Sequence, residues 1–101
     1  MFSFGKSSKN FLALVDCADA SYSVASKFPV LVGGQNDCSL KIEGADFKFE
    51  VSAEKSGGLT AKLLERGTLL VNGIEPSDVF EVGAVCTLQF GERLFYLISA
   101  N

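Results

Sequence analysis

Short runs with an apolar side chain at every second position recur along this 101-residue chain. In the clearest run, Phe47, Phe49 and Val51 alternate with Lys48 and Glu50. Such alternation places the apolar side chains on one face of an extended strand, so each run predicts a half-buried strand. Further strands are predicted at 10–16, 22–24, 28–32, 39–43, 59–63, 69–71, 79–82, 85–90 and 94–98. About nine to eleven short strands in one chain are typical of an all-β sandwich or barrel.

Turn residues separate these runs. The pair Asn72-Gly73 supplies the two positive-φ residues that a type I′ hairpin turn requires. The run 94–98 is apolar at consecutive positions, as expected of a central strand or of a strand covered on both faces. Helix-forming residues are frequent in 55–66, but two consecutive glycines interrupt them, so a short helix is the less favoured alternative to a strand there.

The length and composition indicate one globular domain. Hydrophobic residues make up 48% of the chain, which favours a packed core over disorder. We predict a flexible arm at the polar residues 1–9 and a sandwich domain at 10–101. The net charge is −3 and the basic residues are scattered, so neither nucleic acid nor an anionic membrane surface is an expected partner. No apolar stretch approaches the roughly 20 residues that span a bilayer.

The residue types needed for catalysis and metal binding are scarce. The chain contains no histidine, and Cys17, Cys38 and Cys86 are too far apart and too few for a disulfide framework or zinc site. We therefore expect free thiols, mostly buried, in a reducing and cytoplasmic environment. The acidic residues fall in predicted turns and at strand edges, where they are expected to be solvated. An enzyme, a metal site and a cofactor are accordingly not expected.

Glycine-containing turns follow one another in a set order. They are Leu31-Val32-Gly33-Gly34, Gly67-Thr68, Val71-Asn72-Gly73, Gly83 and Gly91, and Asp37-Cys38-Ser39-Leu40 follows the first. Their order and spacing resemble the forkhead-associated (FHA) domain, and the resemblance covers roughly residues 11–99. It implies an FHA-like β-sandwich with structural turns at Gly33, Gly34, Gly67, Gly73, Gly83 and Gly91.

Several positions at which the FHA family holds phosphothreonine differ in this chain. Ala45, Asp46 and Lys48 stand at the family's serine, arginine and histidine positions. Gly34 replaces another arginine, and Arg66 falls about where the family has asparagine. A phosphate carries a charge of about −2 and is held by charge-assisted donors, so an aspartate in its site repels it. We therefore expect that phosphothreonine recognition has been lost.

The leading functional interpretation is a protein-interaction or scaffolding domain. Loops on a rigid β scaffold commonly carry such functions. The candidate partner-binding residues are Gln35, Asn36, Asp46, Lys48, Arg66 and Asn72. The chain also resembles degenerate FHA-like domains on the cytoplasmic side of a type III secretion inner-membrane ring protein. That resemblance implies partners among the other components of such a machine.

Two alternatives follow from other properties of the sequence. In a phosphopeptide-binding domain with an altered site, Lys48 and Arg66 would replace the missing contacts. A structural subunit would instead self-assemble through an exposed strand edge, at 11–15 or 94–98. The sequence leaves the oligomeric state open.

Overall fold

The computed structural model describes residues 10–100, so the arm predicted at 1–9 lies outside the described residues. The strands are β1 (Phe11–Asp16), β2 (Tyr22–Ala25), β3 (Val30–Gly33), β4 (Leu40–Lys41), β5 (Lys48–Ala53), β6 (Leu59–Glu65), β7 (Leu70–Val71), β8 (Val79–Val82), β9 (Val85–Phe90) and β10 (Arg93–Ala100). These ten strands confirm the all-β prediction. The alternative of a helix within 55–66 is wrong, because β6 occupies most of that segment.

The strands form two five-stranded sheets. Sheet A has the order β2-β1-β10-β9-β7, and sheet B has the order β4-β3-β5-β6-β8. Neighbouring strands are antiparallel except β3 and β4, which are parallel. β10 is the central strand of sheet A, and β1 lies between β2 and β10. Neither β1 nor β10 is an edge strand, so the predicted self-assembly through an edge at 11–15 or 94–98 is wrong.

The core lies between the two sheets, where the alternating apolar side chains of each strand meet. Phe49 of β5 is fully buried and stacks on Phe47 with ring centroids 6.1 Å apart. The ring of Phe47 also meets Phe90 of sheet A edge-on at 5.8 Å, which joins the two sheets through aromatic contact. Phe80 of β8 packs edge-on against Phe49 at 5.6 Å. These centroid distances and tilts are those that aromatic pairs prefer.

The three cysteines are free, and their surroundings differ. Cys38 and Cys86 are buried, as expected of small apolar side chains, whereas Cys17 is exposed in the turn after β1. Burial raises the pKa of the Cys86 thiol to about 11, so this thiol stays protonated and unreactive at neutral pH. Within residues 10–100, no helix of a length and hydropathy suited to crossing a membrane occurs.

Candidate functional site: the loop cluster

Three loops meet at one end of sheet B, and we call them the loop cluster. They are residues 34–39 after β3, 42–47 before β5 and 66–69 after β6. The strand register brings them together, because Lys48 pairs with Gly33 on one side and with Glu65 on the other. Phe49 already opposes Leu63, so Leu64 is the extra residue of a β-bulge beside the cluster. Bulges of this kind re-aim the neighbouring side chains.

The end of β3 and the loop after it touch the second loop through their backbones at two glycines. One of them, Gly33, was predicted as a turn residue but is the last residue of β3, where it pairs with Lys48. A Cβ atom on Gly34 would lie 2.3 Å from the carbonyl oxygen of Ala45. A Cβ atom on Gly33 would lie 2.5 Å from the carbonyl oxygen of Phe47. Real Cβ atoms do not approach an oxygen so closely, so only glycine fits this packing. The backbone of the second loop therefore leaves no room for a side chain at position 34.

Lys48 lies beside the loop cluster at the start of β5, and its ammonium group makes two side-chain hydrogen bonds. Its Nζ donates to Asp37 Oδ2 at 2.7 Å and to Gln35 Oε1 at 3.2 Å. Gln35 in turn donates through Nε2 to Glu65 Oε2 at 2.8 Å. The Lys48 side chain is only 13% exposed, against 55% for Asp37. The hydrogen bond from Lys48 lowers the pKa of Asp37, and the same bond raises the pKa of Lys48.

Asp46 fastens the third loop onto the second. Its Oδ1 accepts from the Thr68 backbone N–H at 3.0 Å, and both carboxylate oxygens lie within 3.2 Å of Thr68 Oγ1. Gly67 has a φ of +52°, and a Cβ atom there would collide with the Asp46 carboxylate at 2.3 Å. The Asp46 carboxylate is thus an internal acceptor for the 66–69 turn.

The structure separates the other predicted site residues from this centre. Arg66 donates to the carbonyl oxygen of Pro76 and to the carboxylate of Asp78, in the segment between β7 and β8. Asn36 accepts from Lys41 Nζ at 2.8 Å on the β4 side of the cluster.

Asn72 lies in the turn after β7, on sheet A. Its Oδ1 accepts from the Thr87 N–H at 3.0 Å, which ties that turn to β9. Of the six predicted residues, only Gln35 and Lys48 hydrogen-bond to each other. Asp46 lies in the adjoining loop and is hydrogen-bonded to Thr68 instead.

Sequence reasoning missed two partners in the cluster. Asp37 was named only as an acidic residue and as part of the segment Asp37-Cys38-Ser39-Leu40, not as a binding residue, and Glu65 was not singled out. The signal that would have found them is the pairing of Gly33, Lys48 and Glu65 across three strands. This pairing requires the register of β6, which the bulge shifts by one residue.

The charge of the loop cluster is negative. The three loops and the flanking residues Lys48 and Glu65 together carry four carboxylates and two cations, which gives a net charge of −2. In residues 10–100, no three His, Cys, Asp or Glu side chains converge as a metal site would require.

The two facing sheets and the loop cluster define an FHA-like β-sandwich. Among solved structures, the chain is similar to EmbR of Mycobacterium tuberculosis in complex with a low-affinity phosphopeptide. The similarity has a TM-score of 0.67 at 13% identity over 90% of this chain, and it shows the fold alone. It covers only 25% of the EmbR chain. No protein-family model matches the sequence, and no curated protein matches it.

Proposed function

We propose that this chain is a non-catalytic protein-binding domain whose loop cluster recognises its partner without reading phosphothreonine. The observation that carries the proposal is the state of Lys48, whose ammonium group is already occupied by Asp37 and Gln35. A phosphate would have to displace these partners and approach two further carboxylates, Asp46 and Glu65. The negative and hydrogen-bonded surface instead suits a partner that presents backbone N–H groups or basic side chains.

A phosphopeptide-binding site rebuilt around Lys48 and Arg66 is the competing function. The contacts argue against it, because Arg66 is paired with Asp78 and Lys48 with Asp37. To read phosphate, both ion pairs would have to open. The Arg66–Asp78 pair is exposed and therefore worth little, whereas the Lys48 side chain is only 13% exposed, so the opening of the Lys48–Asp37 pair is the step that the experiment must test directly.

Titration with matched peptides separates the two functions. We expect the full chain to bind phosphothreonine peptides no more tightly than their unphosphorylated counterparts, with no phosphate-dependent NMR shifts at Lys48. A phosphate-dependent gain that the double substitution Lys48→Ala, Arg66→Ala abolishes would establish the competing function and refute the proposal.

Protein binding itself is tested by charge reversal in the cluster. Lys48→Glu is expected to abolish capture of the physiological partner, because it breaks the contacts to Asp37 and Gln35 that hold the loops of the cluster in their relative positions. Lys62→Glu is the matched control, since Lys62 is exposed on the outer face of sheet B. Equal binding by both variants would show that the partner contacts another surface.

A second proposal concerns the cellular location of the domain and the identity of its partners, and it rests on the sequence resemblance alone. We propose the cytoplasmic side of a type III secretion apparatus, with other components of that machine as partners. An encoded apolar segment of about 20 residues shortly after Asn101 would support it. Co-purification with the cytoplasmic components of the apparatus is the direct test, and loss of co-purification by Lys48→Glu would connect it to the loop cluster.

A further inference from the structure

The outer face of sheet A is apolar. The described residues contain nine exposed large hydrophobic side chains, and six of them point outward from this one face. They are Phe11, Tyr22, Val24, Val85, Leu94 and Tyr96, which we call the apolar face. Within the described strands of sheet A, no outward position carries a charged residue.

The apolar face is continuous across four strands. In one row of the register, Val24 of β2 pairs with Ala13 of β1, Ala13 pairs with Ile98 of β10, and Ile98 pairs with Val85 of β9. Paired residues of antiparallel strands lie side by side on the same face, about 5 Å apart. These apolar side chains therefore form one unbroken surface rather than isolated exposed residues.

Sheet B shows what an ordinary outer face looks like in the same molecule. Its outward positions include Glu50 of β5, which pairs with Lys62 of β6, and Glu81 of β8, which pairs with Thr60. An antiparallel sheet usually keeps one face in the core and exposes a polar face to water. Sheet B follows this rule, and sheet A departs from it.

We propose that two copies of this chain dimerise by packing their apolar faces against each other. The absence of charge on the described face favours a second copy, because two chains of net charge −3 meet there without placing like charges in contact. The six side chains of the apolar face are between 37% and 71% exposed, so a second copy packed over them would remove apolar surface of all six from water. Aligned packing of two sheets about 10 Å apart is a common arrangement in β-sandwiches.

The sequence of β10 supports this arrangement. Its run of consecutive apolar residues is typical of a strand covered on both faces, yet Leu94 and Tyr96 remain exposed on one side while Phe95 and Leu97 are buried on the other. A second copy over the apolar face supplies the missing cover. This inference does not depend on the function proposed for the loop cluster, which is centred on sheet B.

The tyrosines provide a direct readout of this interface. The chain has two tyrosines and no tryptophan, and both Tyr22 and Tyr96 lie on the apolar face. Sedimentation of the full chain between micromolar and millimolar concentrations should show a monomer–dimer equilibrium. Acrylamide quenching of tyrosine fluorescence should fall over the same concentration range. A strict monomer up to millimolar concentration would overturn the proposal.

Two valines form a matched pair for the mutational test. Val24 of β2 is 55% exposed on the apolar face, and Val79 of β8 is 54% exposed on sheet B. Both lie in four-residue edge strands. Val24→Lys should weaken dimerisation at least roughly tenfold, because it buries an unpaired charge, and Val79→Lys should leave it unchanged. Equal weakening by both variants would refute the assignment of this face.

The same measurements distinguish a dimer from coverage of the apolar face by the N-terminal segment of the same chain. The segment 1–9 contains Phe2 and Phe4. If the wild-type chain is monomeric with protected tyrosines, and the double substitution Phe2→Ser, Phe4→Ser exposes them, then this segment covers the apolar face and the dimer is refuted.

Discussion

Replacing the Asn72-Gly73 turn tests the link between local sequence and fold most directly. Asn72 has a φ of +53° and Gly73 a φ of +86°. The turn is closed by two backbone hydrogen bonds between Val71 and Ile74, with N–O distances of 2.8 and 3.1 Å. Both central residues thus occupy the left-handed region, which matches a type I′ turn and which ordinary L-residues rarely adopt.

The cost of substitution can be worked out residue by residue. A Cβ atom on Gly73 would meet nothing within 4 Å, so Gly73→Ala costs only the conformational penalty of about 1 kcal/mol. Asn72→Ala adds a similar penalty and removes the acceptor of the Thr87 N–H, for about 1 kcal/mol more. We expect the double alanine variant to lose about 2–3 kcal/mol in the free energy of unfolding. For a domain of this size, that loss lowers Tm by about 10–20 °C.

Urea and thermal unfolding followed by circular dichroism measure this effect. Gly83→Ala is the control, because Gly83 has no positive φ and a Cβ atom there would also meet nothing within 4 Å. It should leave stability unchanged or raise it slightly. Gly73→Asn should cost less than Gly73→Ala, since asparagine tolerates positive φ. Equal stability of Gly73→Ala and Gly83→Ala would contradict the reasoning.

Two further predictions concern the loop cluster. Gly34→Ala should lower the free energy of unfolding in urea by about 1–3 kcal/mol, because its Cβ atom collides with the Ala45 carbonyl oxygen. Gly58→Ala is the control and should not lower it, since a Cβ atom there meets nothing within 4 Å. Equal stability of the two variants would disprove the close contact at Gly34. The Asp37 carboxyl should titrate below 3.8 in carbon-13 NMR, and Lys48→Met should return it towards that value. The pKa of Asp37 is lower in the folded than in the unfolded chain. The pair therefore stabilises the fold fully above the unfolded pKa, and this stabilisation is lost as the pH falls through the folded pKa. Its contribution to the free energy of unfolding should accordingly stay constant between pH 5 and 8. An Asp37 pKa that is not below the ordinary aspartate value would contradict the ion pair.

Local sequence patterns were sufficient to predict the fold class. The alternation of Phe47, Phe49 and Val51 predicts strand β5 and its buried face, and both are present. The alternation of apolar and polar residues is a property of each strand alone, so it can be recognised without knowing which strands pair with each other. It also separates β6 from a helix, although that segment contains many helix-forming residues.

The loop cluster was harder to predict because its contacts depend on register. Lys48 and Gln35 were both chosen from the sequence, but their partners Asp37 and Glu65 lie 11 and 17 residues from Lys48 along the chain. The orientation of Arg66 depends on the segment between β7 and β8, which no periodic pattern describes. Side-chain pairs of this kind become visible only after the strands have been aligned.

The first and last described strands, β1 and β10, are paired, so the chain enters and leaves the sandwich at the same end. Phe11 lies opposite Ala100, so residues 10 and 100 leave the sandwich side by side. At the other end of these strands, Arg93 donates to the carbonyl oxygen of Glu43 in the loop before β5. A domain joined directly before residue 10 or after residue 100 would therefore be attached at the end of the sandwich opposite the loop cluster. Immobilisation at either of these two positions should accordingly leave the loop cluster facing solution.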